Sequence, residues 1–504
     1  VSERAALLAA IAANPDDDTP RLVFADWLDE HEPAPGAGRK KSAAPSPWAA
    51  LIRAECEFER LRADGSAAAA VFAHFVEYDE RTLAGVRWER AFPEVGRRAE
   101  LRRLIPGLRR ASAGARAAGR ARLRGGNLSA DTHRGFCARV TVRNGFTAAQ
   151  DLPAVMRGCP RVRFDFNDAQ AADELAAALP RWCRSLAVRT DHADLLAALG
   201  RSPDAAGVRE IRCRGTFGGD VPAVFRALAG APHLSGLREF EFDSCYDYDL
   251  PESIKRLLRA PHLRGLTRLA IDSVGGAAEV VAALDALPHL RALELVRADV
   301  DDDAAVRLAR APGLANLRAL HLMFNRITGR GASALLASPH LKNLAVLDLE
   351  GNPIRGLDRA ALAGAPAGGL RLLGLQSCRL TGADAAAVAA SPRAADLMFF
   401  AICRNPFPES TVARVIRALG ARAPAVLYLM NANIKTAGAR ALADWPAAAQ
   451  IDMLHLAENE LSVLGARALA GCPHLRQLNH LCAGVGHATA RSVLKTRFGA
   501  RADV

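Results

Sequence analysis

The side chains able to do acid–base, nucleophilic or metal chemistry are many but scattered. There are 13 histidines and 10 cysteines in 504 residues. Five histidines, His233, His262, His289, His340 and His474, recur in the same tripeptide, Pro-His-Leu. A catalytic histidine is needed once, so this recurrence assigns them to a structural role near helix ends. No His-Glu-x-x-His, Gly-x-Ser-x-Gly or phosphate-loop sequence occurs. No Cys-x-x-Cys pair exists, which argues against a zinc site or a disulfide framework. The acidic run Asp16–Asp18 lacks a second ligand set at calcium-loop spacing, so helix capping on a solvated surface accounts for it. Asp301, Asp302 and Asp303 read the same way. No catalytic, cofactor or metal residue is expected, and the chain reads as non-enzymatic. An enzyme site assembled from distant positions is the third-ranked alternative.

Binding chemistry is better represented. The formal net charge is +12, and it is unevenly placed. Residues 97–124 hold ten arginines against one acid, Glu100. Such a run offers phosphate or anionic-lipid contacts through Arg102, Arg103, Arg109 and Arg110. It has no aromatic residue on which bases could stack. A solvated connector therefore outranks nucleic-acid or other polyanion binding, which is kept as the alternative. Residues 1–32 are acidic, with eight acids and two bases.

The elements that must position these groups come from a repeat. Leu317, Leu320, Leu322, Asn325 and Ile327 return as Leu344, Leu347, Leu349, Asn352 and Ile354. They return again through Leu370–Leu380, with Cys378 at the Asn position, Leu397–Phe407 and Ile451–Leu461. Taking the Asn position as an anchor, anchors fall at Asn167, Asp191, Thr216, Cys245, Val274, Ala298, Asn325, Asn352, Cys378, Asn405, Ala432 and Asn459. Successive anchors are nearly evenly spaced, about 27 residues apart. Leu320 and Leu322 alternate along a short strand and share its inner face. The anchor Asn can bond turn backbone that no ladder satisfies. Ala298, Val274 and Ala432 lack that group, which predicts looser turns there. Segments such as Gly331–Leu341, Gly382–Pro392, Gly438–Pro446 and Gly465–Pro473 are Ala/Leu-rich and end in or near Pro, which predicts a helix in the second half of each unit.

The pattern resembles leucine-rich repeats, and its period with a helix resembles the ribonuclease-inhibitor-like class. The expected fold is an α/β solenoid, a horseshoe with parallel strands on the concave side and helices on the convex side. Residues 133–504 form this solenoid with a C-terminal cap. The stretch from Ala6 to Glu30, with Asn14-Pro15 and Arg21-Leu-Val-Phe-Ala-Asp-Trp-Leu28, resembles the small companion domain that precedes leucine-rich repeats in many planctomycete proteins. Leu51–Leu61 resembles that family's following helix, displaced by a Pro/Gly/Lys insert. The resemblance implies a helical domain over residues 1–62 and a bacterial source, and carries no catalytic residue. Residues 63–132 are then a helical, Arg-rich connector. Within residues 1–62, Phe24, Trp27 and Leu28 are expected on one helical face, and Asp17 or Asp18 at a helix N-cap.

In each strand the residues two and four before the anchor point away from the core. The early part of this concave face is basic, with Arg161, Arg163, Arg189, Arg212 and Arg214. The middle is acidic, with Glu239, Glu241, Asp243, Asp272 and Glu294, then Asp348 and Glu350. The late part is softer, with His321, Met323, Tyr428, Met430, Met453 and His455. Met and aromatic residues are enriched at protein interfaces. The function expected is a protein-binding scaffold working through this face, with no cofactor and a partner of unknown identity. No apolar run is long enough to span a membrane. The lack of a cysteine framework points to a reducing, cytoplasmic compartment.

Overall fold

The computed structural model describes residues 2–13, 17–32, 46–63, 101, 104–108 and 110, the strands between 128 and 189, and 193–503 apart from 216–219, 244–247, 250, 276 and 406. The chain falls into two compact units. One comprises Val1–Asp64, Gly96–Tyr246 and Ser253–Arg268; the other comprises Gly65–Val95, Asp247–Glu252 and Leu269–Val504.

In the first unit three helices come first: α1 (Glu3–Ala13), α2 (Thr19–His31) and α3 (Pro47–Ala63). Ile11, Phe24, Ala25, Leu28, Trp48, Ala49, Ile52 and Cys56 make their core. Trp27 is only partly buried at its margin, stacked on His31 with ring centroids 4.5 Å apart. The start of α2 is held by Asp17, whose carboxylate accepts the Thr19 N–H at 2.8 Å. This bond holds its carboxyl below the usual range. Asp18 occupies the N-cap position without capping through its side chain. Arg53 of α3 forks onto Asp29 and Asp26 of α2, at 2.6 and 2.7 Å. Leu101 and Ile105 pack on Leu51 and Ala54 of α3. Of the Arg-rich stretch, the described residues Leu101, 104–108 and Arg110 are thus helical, and Leu101 and Ile105 form a second cluster with α3.

Among the described residues the strands form one 16-stranded sheet that follows chain order, apart from two short strands that pair separately. Leu128–His133 pairs antiparallel with Phe136–Val142, and the pairings that follow are parallel. Register reproduces the repeat spacing: Ala292 aligns with Ala319, Val346, Leu372, Phe399, Val426, Met453 and His480 on successive strands. One early step differs. The Val162–Phe166 strand pairs with Cys183–Arg189 as Arg163↔Ser185, beside an irregularity at Val162. The anchors Asn167 and Asp191 would instead have set Arg163 opposite Ala187, so the register is slipped there. A second departure is a small two-stranded sheet, Tyr248–Asp249 with Val274–Gly275, lying just beyond the main strands.

Between strands the chain turns through helices such as Gly329–Leu336, Gly382–Ala390, Thr436–Ala443 and Val463–Gly471. Several of their N-termini are capped by the residues expected of helix starts, with Thr381 and Asp384 forming a reciprocal pair of bonds. Pro-His-Leu does not end these helices. At Pro232–Leu234 and Pro261–Leu263 it forms a separate 3-10 turn that drops a buried leucine into the core before the next strand. His262 is half-buried there with its ring nitrogen 2.9 Å from the Leu228 carbonyl, and burial lowers its pKa.

Candidate partner-binding face

Strand geometry decides which side chains can meet a partner. Leu320, Leu347, Leu373, Phe400, Leu427 and Leu454 point toward the helices and are buried. The residues beside them in each strand point the other way.

The turns that follow are stitched by the anchor residues. Asn325 accepts the N–H groups of Ala298 and Val300 at 2.9 and 3.0 Å and donates to the Leu295 carbonyl. Asn405 does the same for Cys378 and Leu380, and Asn459 for Ala432 and Ile434. Each Asn therefore finishes the turn of the unit before its own. This corrects the expectation of loose turns at Ala298 and Ala432, whose donors are satisfied by the next anchor. Cys378 stands in for Asn with its sulfur 3.1 Å from the Leu349 carbonyl and 3.2 Å from that of Gln376. Burial pushes its thiol pKa far up, which makes it inert.

On the helix-free face, Phe399, Tyr428 and His455 form a ring ladder across three strands. Centroids are 5.0 Å apart for Phe399–Tyr428 and 4.8 Å for Tyr428–His455, the latter stacked at 18°. Tyr428, Met430, His455 and Met323 are half-buried. Two of the candidates are not on offer. Met453 is 0% exposed and His321 only 7%. Met453 has the right strand parity but sits at the start of its strand, in register with Val426 and Phe399, where the face is covered. Burial closes Met453 to a partner in this conformation. Alternation of strand side chains reveals parity but not cover, which is why it was misjudged.

In the first unit the acidic residues Glu239, Glu241 and Asp243 are half-buried, alternating with the buried Phe240 and Phe242. Glu241 sits between two arginines of neighbouring strands, Arg268 at 2.8 Å and Arg212 at 3.5 Å. Asp243 meets Arg214 at 3.7 Å. Glu241 and Asp243 are thus paired with arginines across strands, which weakens their pull on a basic surface. The Arg212–Glu241 step was legible in retrospect, since the consecutive anchors Thr216 and Cys245 place Arg212 opposite Glu241.

Of the polyanion candidates, Arg110 is described and exposed, while Arg102, Arg103 and Arg109 lie outside the described residues. Among the described residues no group of His, Cys, Asp and Glu could hold a metal ion. No helix among them is long and apolar enough to cross a membrane.

The family description "Leucine Rich repeat" matches residues 313–336. No curated protein matches the sequence. Among solved structures, the chain is similar to TLR13 in its complex with ssRNA13, at 18% identity and a TM-score of 0.38, covering 66% of this chain and 43% of that one. It is also similar to an internalin, inlF, from Listeria monocytogenes str. 4b F2365, at 14% identity and a TM-score of 0.36, covering 70% of this chain and 87% of that one. The chain thus spans less than half the length of the TLR13 chain. Residues 313–336 are thus a leucine-rich repeat, and the in-register parallel strands with helices between them and the ladder of anchor asparagines give the chain the α/β fold of a leucine-rich-repeat solenoid.

Proposed function

We propose that the protein is a non-enzymatic scaffold that binds a protein partner through the helix-free face of its later repeats. The carrying observation is the Phe399–Tyr428–His455 ladder, with Tyr428, His455 and the adjacent Met430 keeping accessible surface. Stacked rings held by strands form a rigid, amphipathic platform, and such anchors carry most of the energy at protein interfaces. Met323 extends the surface toward earlier repeats.

Several finer readings belong to the same proposal. The helix-bearing repeat of about 27 residues supports the ribonuclease-inhibitor-like class. Helices α1–α3, with Phe24, Leu28 and Trp48 in their core, support a companion domain of the planctomycete type. The free cysteines among the described residues, buried as at Cys56, Cys213 and Cys378, support a cytoplasmic location.

The test is affinity capture with the full chain and with Tyr428→Ala/Met430→Ala. Proteins that co-purify with the wild type and are lost from the double variant, at unchanged circular dichroism, support the reading. Partners retained equally by both overturn it. Enrichment of nucleic acid instead, removed by moderate salt, would favour the polyanion alternative.

A further inference from the structure

Helix α2 has its polarity partly inverted. Its core-facing positions are Arg21, Phe24, Ala25 and Leu28, and all four are buried. Arg21 is only 1% exposed, its guanidinium donating to the Asp17 carbonyl at 2.7 Å and lying 3.9 Å from the Asp18 carboxylate. Leu22 and Val23 beside it are turned outward, at 38% and 47% exposure. Arginine is among the residues least often buried, and Leu and Val are among the most. Stability alone does not favour this arrangement. Single exposed apolar side chains are ordinary. Here, however, only five large ones stand out among the described residues, and these two are adjacent on one helix.

The surroundings say what would cover them. Residues four apart are neighbours on a helix surface. Leu22 therefore lies between Asp18 and Asp26 on one ridge, which Glu30 continues. Val23 lies beside Trp27 on the next ridge. Trp27 is partly buried, and its Nε1 donates to the Glu3 carboxylate at 3.0 Å. The result is an apolar strip edged by carboxylates. Residues 1–32 hold eight acids against two bases, and both bases are used internally. Arg21 is buried, and Arg4 pairs with Glu32 at 3.5 Å. Arg53 of α3 meets Asp26 at 2.7 Å yet leaves its side chain 70% exposed, and Glu30 is exposed as well.

We propose that α2 is a second docking surface, built for a basic amphipathic segment of a protein partner. Leu22, Val23 and Trp27 receive the partner's apolar side chains, while Asp26 and Glu30 meet its Lys or Arg at the rim. The sign of the charge selects the class of occupant. The same carboxylates repel nucleic-acid phosphates and anionic lipid headgroups. A second copy in a two-fold dimer would set this acidic rim against itself. The surface belongs to the N-terminal helices and does not involve the Tyr428 face, so it goes beyond the scaffold reading.

The test uses the full chain and two labelled helical peptides of about 18 residues, long enough to hold a helix. They share a leucine face and carry either lysine or glutamate on the other. Fluorescence anisotropy is read near 150 mM salt. The lysine peptide should bind saturably, and about tenfold more weakly to Leu22→Ser/Val23→Ser, the loss expected for an interface anchor. Glu30→Lys should weaken it severalfold, more so at low salt. Tyr428→Ala/Met430→Ala should leave it unchanged. The proposal is overturned by equal binding to wild type and Leu22→Ser/Val23→Ser, by equal binding of the glutamate peptide, by no binding of the lysine peptide, or by its loss in Tyr428→Ala/Met430→Ala. Binding to phosphatidylserine vesicles or self-association of the wild type, abolished in Leu22→Ser/Val23→Ser, also overturns it, since the occupant would then be a lipid surface or a second copy. Both serine substitutions fall at exposed positions, so circular dichroism should not change. Should it change, Glu30→Lys decides.

Discussion

Replacing Asn405 by alanine isolates what one anchor does for the stack. The Asn405 side chain is buried, accepting the N–H groups of Cys378 at 3.0 Å and Leu380 at 2.9 Å. Its amide donates to the carbonyls of Leu375 and Ile402, both at 2.9 Å. Alanine leaves two buried donors without their acceptor. At about 1–3 kcal/mol for each buried group left unsatisfied, the cost is about 2–6 kcal/mol. The carbonyls have second lone pairs and add less, and entry of water into the vacated space moves the value toward the lower half. A loss of about 3 kcal/mol corresponds to roughly a hundredfold fall in local protection. Because stability in a repeat stack is a sum of neighbour terms, the loss should appear in the adjoining units before the whole chain. Hydrogen exchange read by mass spectrometry is the assay, with peptides covering Leu375–Leu380 and, as a distant control, Leu293–Val300. Asn405→Cys, which installs the group already used at Cys378, should cost less than alanine. Exchange at Leu375–Leu380 unchanged within threefold in Asn405→Ala, or equal loss in both variants, would refute the reasoning.

Three other outcomes are expected. Leu347→Ala empties a fully buried site and should cost about 2–5 kcal/mol, with new protease cleavage between Leu317 and Leu380; an unaltered melting curve would show the register to be wrong. Asp302 is partly desolvated, yet its bonds from the Thr328 hydroxyl and N–H and the Gly331 N–H prevail and hold its pKa below 3.8. Its contribution is full above pH 3.8 and is lost as pH falls through the lowered value, so the stability gap between wild type and Asp302→Asn should shrink on acidification; a gap constant between pH 6 and 2.5 would contradict this. Lastly, the full chain should show no DNA or RNA binding near 150 mM salt, and binding that Arg102→Ala/Arg103→Ala/Arg109→Ala/Arg110→Ala abolishes would restore the polyanion alternative.

The repeat was legible because its signals are local and periodic. Leu320, Leu347, Leu373 and Phe400 each announce a strand core from the same five-position pattern, and the sheet register follows from their spacing. The slip near Val162 was not legible, since a bulge changes pairing without changing residue type. The role of each Asn was read within its own unit, whereas the bonds run to the unit before, a relation only stacking creates. The binding face was legible as parity but not as access. Tyr428 and Met453 look alike in the strand pattern, yet one keeps surface and the other has none. The charge pairing at Glu241 needed three strands side by side before Arg212 and Arg268 could be seen to flank it.

The backward reach of the anchors gives the stack a direction in time. A unit emerging from the ribosome holds donors that its own residues do not satisfy, as at Ala298 and Val300, until the following unit delivers Asn325. Every such unit is thus provisional when made and sealed by its successor, so assembly is ratified in the order of synthesis. At the strand His480–Cys482 the turn is sealed by other means: Ala502–Asp503 pairs beside it, the Asp503 carbonyl accepts the Ala483 N–H at 2.8 Å, and Arg501 reaches the Leu478 carbonyl. Deleting Arg501–Asp503 would leave that turn unsealed, and fraying should then travel toward the N-terminus, unit by unit, against the direction of synthesis.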